Sequence, residues 1–358
     1  MRRKSLMVVS CIVFCCLLVG AFLVIQQKRK ERFEGICNGV VQRDAVQVAA
    51  GGREVEAVDS GARESAESDG LPVKCEADTK DKSRHIEFSV GSSAYAIQIL
   101  GQTLQENLFI ADVSSPMGGG WTGTLTVQDP ITAHATVVLK CSSGRQEYLL
   151  VSVKSLLVDT DTHFSENKSE RLGLAQAVAS VSKEANKQWK CGAQLGKKIR
   201  RAPADAIRSR AKPLAEATGT CRSMRKLTPV AKTWGITKAI STESTGEAPA
   251  QDCLLVDTKG QQVYRLSALT GPLAEGYRES GSTLAKVPGK AGREKRGGWA
   301  WASAKCPDGQ SPALFTAAST GLGEDDRLKV SADFERELLK AFGSDMAALH
   351  GCEKPTLP

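Results

Sequence analysis

Eleven cysteines are the most chemically capable residues of this 358-residue chain. Oxidised in pairs they staple a fold. Reduced beside a histidine they become nucleophiles, and at CxxC spacing they hold zinc or exchange thiols. Cys11, Cys15 and Cys16 lie inside an apolar run and read as small, lipid-compatible side chains. The other eight are Cys37, Cys75, Cys141, Cys191, Cys221, Cys253, Cys306 and Cys352. They are even in number, widely spaced and without a CxxC pair, which argues against zinc and thioredoxin-type chemistry. The same pattern predicts structural disulfides formed in an oxidising compartment.

Other reactive groups are sparse. His85, His134, His163 and His350 stand far apart, with no pair at metal-ligand spacing. No GxSxG elbow is present, and GGGWTG lacks the Lys-Ser/Thr end of a phosphate loop. Asp159 and Asp161 alternate in VDTDTH without the further carboxylates that calcium needs. Glu324, Asp325 and Asp326 read as a solvated turn before the last helix. No catalytic residue, cofactor site or metal site is expected.

Two features have a binding reading beside a structural one. Gly-Gly-Trp occurs twice, ending at Trp121 and Trp299. A tryptophan on a glycine turn offers a platform for a glycan or a partner, or it anchors a core strand. Lys197, Lys198, Arg200 and Arg201 open a basic stretch that continues through Arg208, Arg210 and Lys212 against Asp205 alone. Such a stretch attracts anionic wall polymers or lipid headgroups, or it is a solvated linker that keeps two domains apart.

The elements around these residues begin with a membrane segment. Arg2, Arg3 and Lys4 precede twenty uncharged residues, Leu6 to Ile25, which end at QQKRKER. Twenty residues at helical rise span about 30 Å, the thickness of a bilayer's hydrocarbon core. A cleaved signal peptide would have a shorter apolar region and a small-residue cleavage site. Basic residues flank the run on both sides, so charge does not set its orientation. The cysteines do: residues 1–5 are expected in the cytoplasm, 6–25 across the membrane, and the bulk outside. The net charge of +8 comes without zinc spacing, helix-turn-helix or stacking aromatics, so nucleic acid is not an expected partner.

The eight cysteines fall into two sets of four, with intervals of 38, 66 and 50 residues and then 32, 53 and 46. CEADTK after the second cysteine is echoed by CLLVDTKG, and each third cysteine is followed by a turn, SSG or PDG. These coincidences predict a tandem duplication: domains at 37–191 and 221–352, joined by a basic linker at 192–220. Four cysteines per set allow three pairings, and bonding within each set is expected.

Each copy reads as a short helix, strands and a long closing helix. The strands of the first copy are Pro72–Ala77, His85–Val90, Ala135–Lys140 and Glu147–Val153. Those of the second are Asp252–Thr258, Gln262–Leu266, Trp299–Lys305 and Ala313–Ala318. Leu172 to Trp189 and Phe334 to Met346 carry apolar residues at helical spacing, with Ser169 and Ser331 as start signals. The fold class is α+β: in each copy a small antiparallel sheet with a helix on one face. Gly51–Gly70 and Gly276–Gly298 read as loops.

Cys37-Asn38-Gly39, a short helix and then Cys75 resemble the opening of actinobacterial membrane-anchored and lipoprotein-like extracytoplasmic proteins of uncharacterised function. The likeness covers 37–191 and 221–352 in spacing and texture. It implies the envelope of a high-G+C Gram-positive bacterium and carries over no functional residue. The duplication departs from that pattern. So does Val8-Val9-Ser10-Cys11, which has too few apolar residues before it for a lipoprotein signal. The expected function is therefore a non-enzymatic binding, accessory or sensing protein of the envelope, with an envelope protein or an anionic wall polymer as partner. An envelope enzyme with an unfamiliar site, and a structural spacer or assembly factor, are the alternatives.

Overall fold

The computed structural model describes residues 36–59, 71–96, 113–158, 163–204, 211–279, 287–294, 298–307, 311–319 and 331–358. The apolar run at 6–25 lies outside them, as do Asp159, Asp161, Arg208, Arg210 and the acidic trio at 324–326. Among the described residues no helix is long and apolar enough to cross a membrane.

The chain is α+β, with two seven-stranded antiparallel sheets. In the first half a 3-10 turn at Ile36–Gly39 leads to α1 (Arg43–Ala49). Then come β1 (Val55–Asp59), β2 (Val73–Thr79), β3 (Arg84–Gly91), β4 (Ser114–Pro116), β5 (Gly123–Asp129), β6 (Thr132–Lys140), β7 (Tyr148–Leu157) and the long helix α2 (Lys168–Gln188). The second half has β8 (Lys212–Pro213), a 3-10 segment at Gly219–Leu227, α3 (Thr228–Thr233), β9 (Ile236–Ser241), β10 (Ala250–Asp257) and β11 (Gln262–Leu269). After these come α4 (Pro272–Glu279), β12 (Gly292–Arg293), β13 (Trp299–Ala304), β14 (Ala313–Ser319) and α5 (Ala332–Leu349).

Strand order is β1-β2-β3-β7-β6-β5-β4 in one sheet and β8-β9-β10-β11-β14-β13-β12 in the other. Six strands of each therefore run in the same order: β1-β2-β3-β7-β6-β5 beside β9-β10-β11-β14-β13-β12. The disulfides sit at matching places and stay within each set: Cys37–Cys75, Cys141–Cys191, Cys221–Cys253 and Cys306–Cys352. The first of each pair ties the segment before the short helix to the second common strand. The other ties the strand β6 or β13 to the end of the long helix.

The sheets are larger and more deeply covered than the sequence reading expected. One face of the first sheet packs on α1 and α2 through Phe88, Val137, Val151, Leu174 and Val178. One face of the second packs on α5 through Leu266, Phe315, Leu338 and Phe342. The remaining faces meet. Val138, Tyr148 and Leu150 of the first half join Leu269, Trp299, Trp301 and Leu314 of the second in one buried cluster. The result is helix, sheet, sheet, helix in four layers. Strands with both faces covered lose the alternation of half-buried strands, and eight of nine residues of β6 are buried.

Three expectations are corrected. Asn167, not Ser169, caps α2, its side chain accepting from the amides of Ser169 and Glu170. Ser331 does cap α5, accepting from Phe334 N. The loops assigned at 51–70 and 276–298 contain β1, the end of α4 and β12.

Candidate functional site: a basic strap along the first long helix

The segment after Cys191 is not a spacer between separated domains. It doubles back along α2 as an extended strap, held at points that run antiparallel to the helix. Ala193 N donates to Asn186 Oδ1 at 2.8 Å, Gln176 Nε2 donates to Ile199 O at 2.9 Å, and Arg171 Nε donates to Pro203 O at 3.1 Å. From Arg171 to Asn186 the helix rises about 22 Å. The Cys141–Cys191 disulfide fixes one end, reinforced by Ser142 Oγ donating to Gly192 O at 2.7 Å.

Trp121 pins the middle. Gly118, Gly119 and Gly120 all have positive φ, which glycine adopts without steric cost, and they bring the indole onto the strap. Trp121 Nε1 donates to Lys197 O at 2.8 Å, and Lys197 N donates to Gly119 O at 2.7 Å. Gly196 lies flat on the ring: a Cβ there would stand 2.4 Å from Trp121 Cδ1. Only glycine fits so close an approach.

The consequence is a fixed display of charge. Ile199 turns inward and is buried, while Lys197, Lys198, Arg200 and Arg201 are exposed. Periodicity places Lys183 and Lys187 on the same outward quarter of α2 as Gln176, whose amide reaches the strap. With Lys190 at the turn, seven exposed cations face one acidic residue, Glu184, between positions 183 and 201. None of the seven is ion-paired among the described residues.

Of the two readings of the Gly-Gly-Trp tryptophans, surface platform or core anchor, burial favours the second: Trp121 is 2% exposed and Trp299 6%. They are not equivalent. Trp121 precedes β5 and faces the helix layer, whereas Trp299 opens β13, the counterpart of β6, and faces the junction between the sheets. There Trp299 stacks on Tyr277 with centroids 6.1 Å apart. Its Nε1 and that of Trp301 have no hydrogen-bond partner among the described residues. The shared GGW text thus serves two different turns.

The histidines stay apart, and among the described residues no group of three His, Cys, Asp or Glu could hold a metal ion. His85 pairs with Asp78 at 2.9 Å on a half-exposed face. His134 is buried beside Gln128, and desolvation, aided by Lys154, pushes its pKa down to about 3. Burial also lowers His350, whose Nε2 lies 2.9 Å from Gln251 Nε2.

A network that the sequence did not reveal joins the halves. Asp252, 2% exposed, accepts from Ser114 N at 3.1 Å, from Arg265 Nε and Nη2 at 3.1 Å each, and from Ser267 Oγ at 2.6 Å. Thr242 Oγ1 donates to Ser114 O at 3.0 Å. A buried carboxylate with this many donors is a lock, not a free base. Nothing in the DCLLVD text distinguishes Asp252 from a solvated strand-edge residue, because its partners come from another strand and from the other half. An open groove of about 810 Å³ lies between the 3-10 segment at 219–227 and α5. On its wall Arg222 grips Asp345 through Nε and Nη2 at 2.8 and 2.7 Å.

Comparison with known proteins returned no match: no family model, no curated protein and no solved structure is similar to the chain at the level sought.

Proposed function

We propose that the chain is a membrane-anchored extracytoplasmic protein of the cell envelope that binds a partner rather than transforming a substrate. Its N-terminus is cytoplasmic, the run at 6–25 is the anchor, and the two halves descend from one duplicated module. The matched strand order and the matched disulfides support the duplication. The eight oxidised cysteines support the sidedness, since such staples persist in oxidising compartments.

One observation carries the binding reading. The deepest ion pairs, Arg84–Glu170 and Arg265–Asp252, are spent on joining elements of the fold, while uncompensated charge collects on an outer surface that is held in place. Binding sites commonly sit on segments positioned by a rigid scaffold. The test is labelling of intact cells with a membrane-impermeant maleimide. The eight cysteines should react only after reduction, and from outside. Labelling without a reductant, or only after lysis, would overturn the sidedness.

A second reading, a site between the halves, draws support from the indole donors of Trp299 and Trp301, which have no partner among the described residues. Buried donors without acceptors cost about 1–3 kcal/mol each, and a ligand carbonyl or ether oxygen would satisfy them. Tryptophan emission that shifts on adding envelope extract, and does not shift in Trp301→Phe, would favour it.

A further inference from the structure

We infer that the strap and the outward ridge of α2 form one binding surface for a linear, phosphate-bearing polyanion. The inference rests on the reading of the chain as an extracytoplasmic binding protein and names the chemical class it binds.

Three properties of the surface point to that class. The charge is dense: seven exposed cations against one carboxylate between 183 and 201. It is also linear, following α2 over the roughly 22 Å between Arg171 and Asn186. Finally, it is pre-ordered, because the strap's carbonyls and amides are bound by Trp121, Gln176, Arg171 and Asn186 before any ligand arrives. Fixing the strap in advance removes an ordering cost that a free basic tail would incur on binding.

A linear phosphate-bearing polymer suits this surface better than a lipid surface does. Polyanions hold condensed counterions, and a row of cations gains affinity by releasing them. Peripheral membrane attachment usually adds an apolar side chain that inserts beside the charge. Among the described residues the large apolar side chains that are exposed are Ile131, Val158 and Val230, none of them on the strap or α2. Arginine adds bidentate contact to phosphate at positions 200 and 201, where lysine would offer only a point charge.

The experiment uses the full chain in detergent micelles, so that its outcome does not depend on the orientation of the anchor. Long-chain inorganic polyphosphate is the probe, and vesicles with and without phosphatidylglycerol form a second arm. Binding to polyphosphate should weaken steeply with salt. The variant K197E/K198E/R200E/R201E should weaken it at least about tenfold and flatten the salt slope by about 3. A control with the same change in net charge, K226E/K259E/K305E/K340E, should retain most of the affinity. Equal loss in the two variants would reduce the effect to net charge and overturn the site. No polyphosphate binding at low salt, or binding to phosphatidylglycerol vesicles alone, would overturn the proposed class. Sidedness fails only in the labelling experiment, so the two failures are distinguishable.

Discussion

The two halves solve the same packing problem with different chemistry. Arg84 pairs across the sheet with Leu157 at the end of β7, and Tyr264 pairs with Ser319 at the end of β14. Both point to the helix layer, and both meet a glutamate from the first turns of the long helix. In the first half the result is an ion pair. Arg84 Nη2 donates to Glu170 Oε2 at 2.6 Å, and Arg53 reaches Oε1 at 3.5 Å. In the second half Glu335 is fully buried, accepts Gly298 N at 2.7 Å and faces Tyr264. Burial raises the pKa of Glu335 and pushes that of the Tyr264 phenol up. One half therefore surrounds its glutamate with cations, whereas burial in the other biases the Glu335 carboxyl toward the neutral form. A fold of this kind specifies that the corner be filled and satisfied, and leaves open by which pair.

The comparison can be broken in several ways. The largest effect is expected from the long-loop staples. Cys141–Cys191 and Cys306–Cys352 close spans of 50 and 46 residues, so removing either should cost about 4 kcal/mol by loop entropy. Denaturant unfolding of the double-serine variants measures both. A difference well beyond 1 kcal/mol would mean that the halves are not equivalent in this respect. Next, Arg84→Met leaves Glu170 buried with only the more distant Arg53, at a cost of about 3 kcal/mol. Tyr264→Phe removes a neutral hydroxyl and should cost under about 1 kcal/mol. Similar losses from the two would show that the ion pair has no special weight.

Acid should act with opposite sign at two buried groups, His134 of the first half and Glu335 of the second. The folded pKa of His134 lies below that of the unfolded chain, so the unfolded state takes up the proton first. The stability contributed by His134 is then full above about 6.5 and falls as pH drops toward 3, by about 2 kcal/mol between pH 6.5 and 5. Glu335 shifts the other way. Its folded pKa lies above 4.5, so its contribution is present below the unfolded value and is lost as pH rises through the folded one. His134→Asn should flatten the acid limb of a plot of unfolding free energy against pH, and Glu335→Gln should steepen it. Unchanged slopes in both would remove the contrast. The smallest effect belongs to the strap; the segment after Cys352 folds back too, but onto β13, where Thr356 N donates to Ser303 O at 2.8 Å. Gly196→Ala forces the indole of Trp121 aside for about 1 kcal/mol. Amide exchange should then speed up at Lys197 and not in α5, and an unchanged exchange rate would mean that Trp121 does not hold the strap.

How much of this was legible depended on how local the signal was. Cysteine intervals and the spacing of Leu174, Val178 and Val181 are properties of the chain, and they located the staples and both long helices. Strands with an apolar alternation and a turn behind them were found within a few residues. The short edge strands β4, β8 and β12 carry two or three residues each and leave no periodic trace. The near-continuous burial of β6, β10 and β13 has its sequence form in VVL, CLLV and WAWA, runs that call for cover on both faces. For the basic stretch, composition showed the charge. It did not show that Ile199 turns in, that Gly196 lies on Trp121, or that Lys183 and Lys187 lie alongside.

The amino-acid sequence alone determined the fold class, the two sets of staples and the presence of concentrated positive charge, because spacing, periodicity and side-chain type act within a few turns of chain. Tertiary structure alone decided that the sheets press together across Asp252, that the tryptophans are buried, and that a linker becomes a fixed basic face. Each of those rests on contacts between residues tens to more than a hundred positions apart, and such contacts form only once a second element arrives to bury an apolar face or satisfy a polar group.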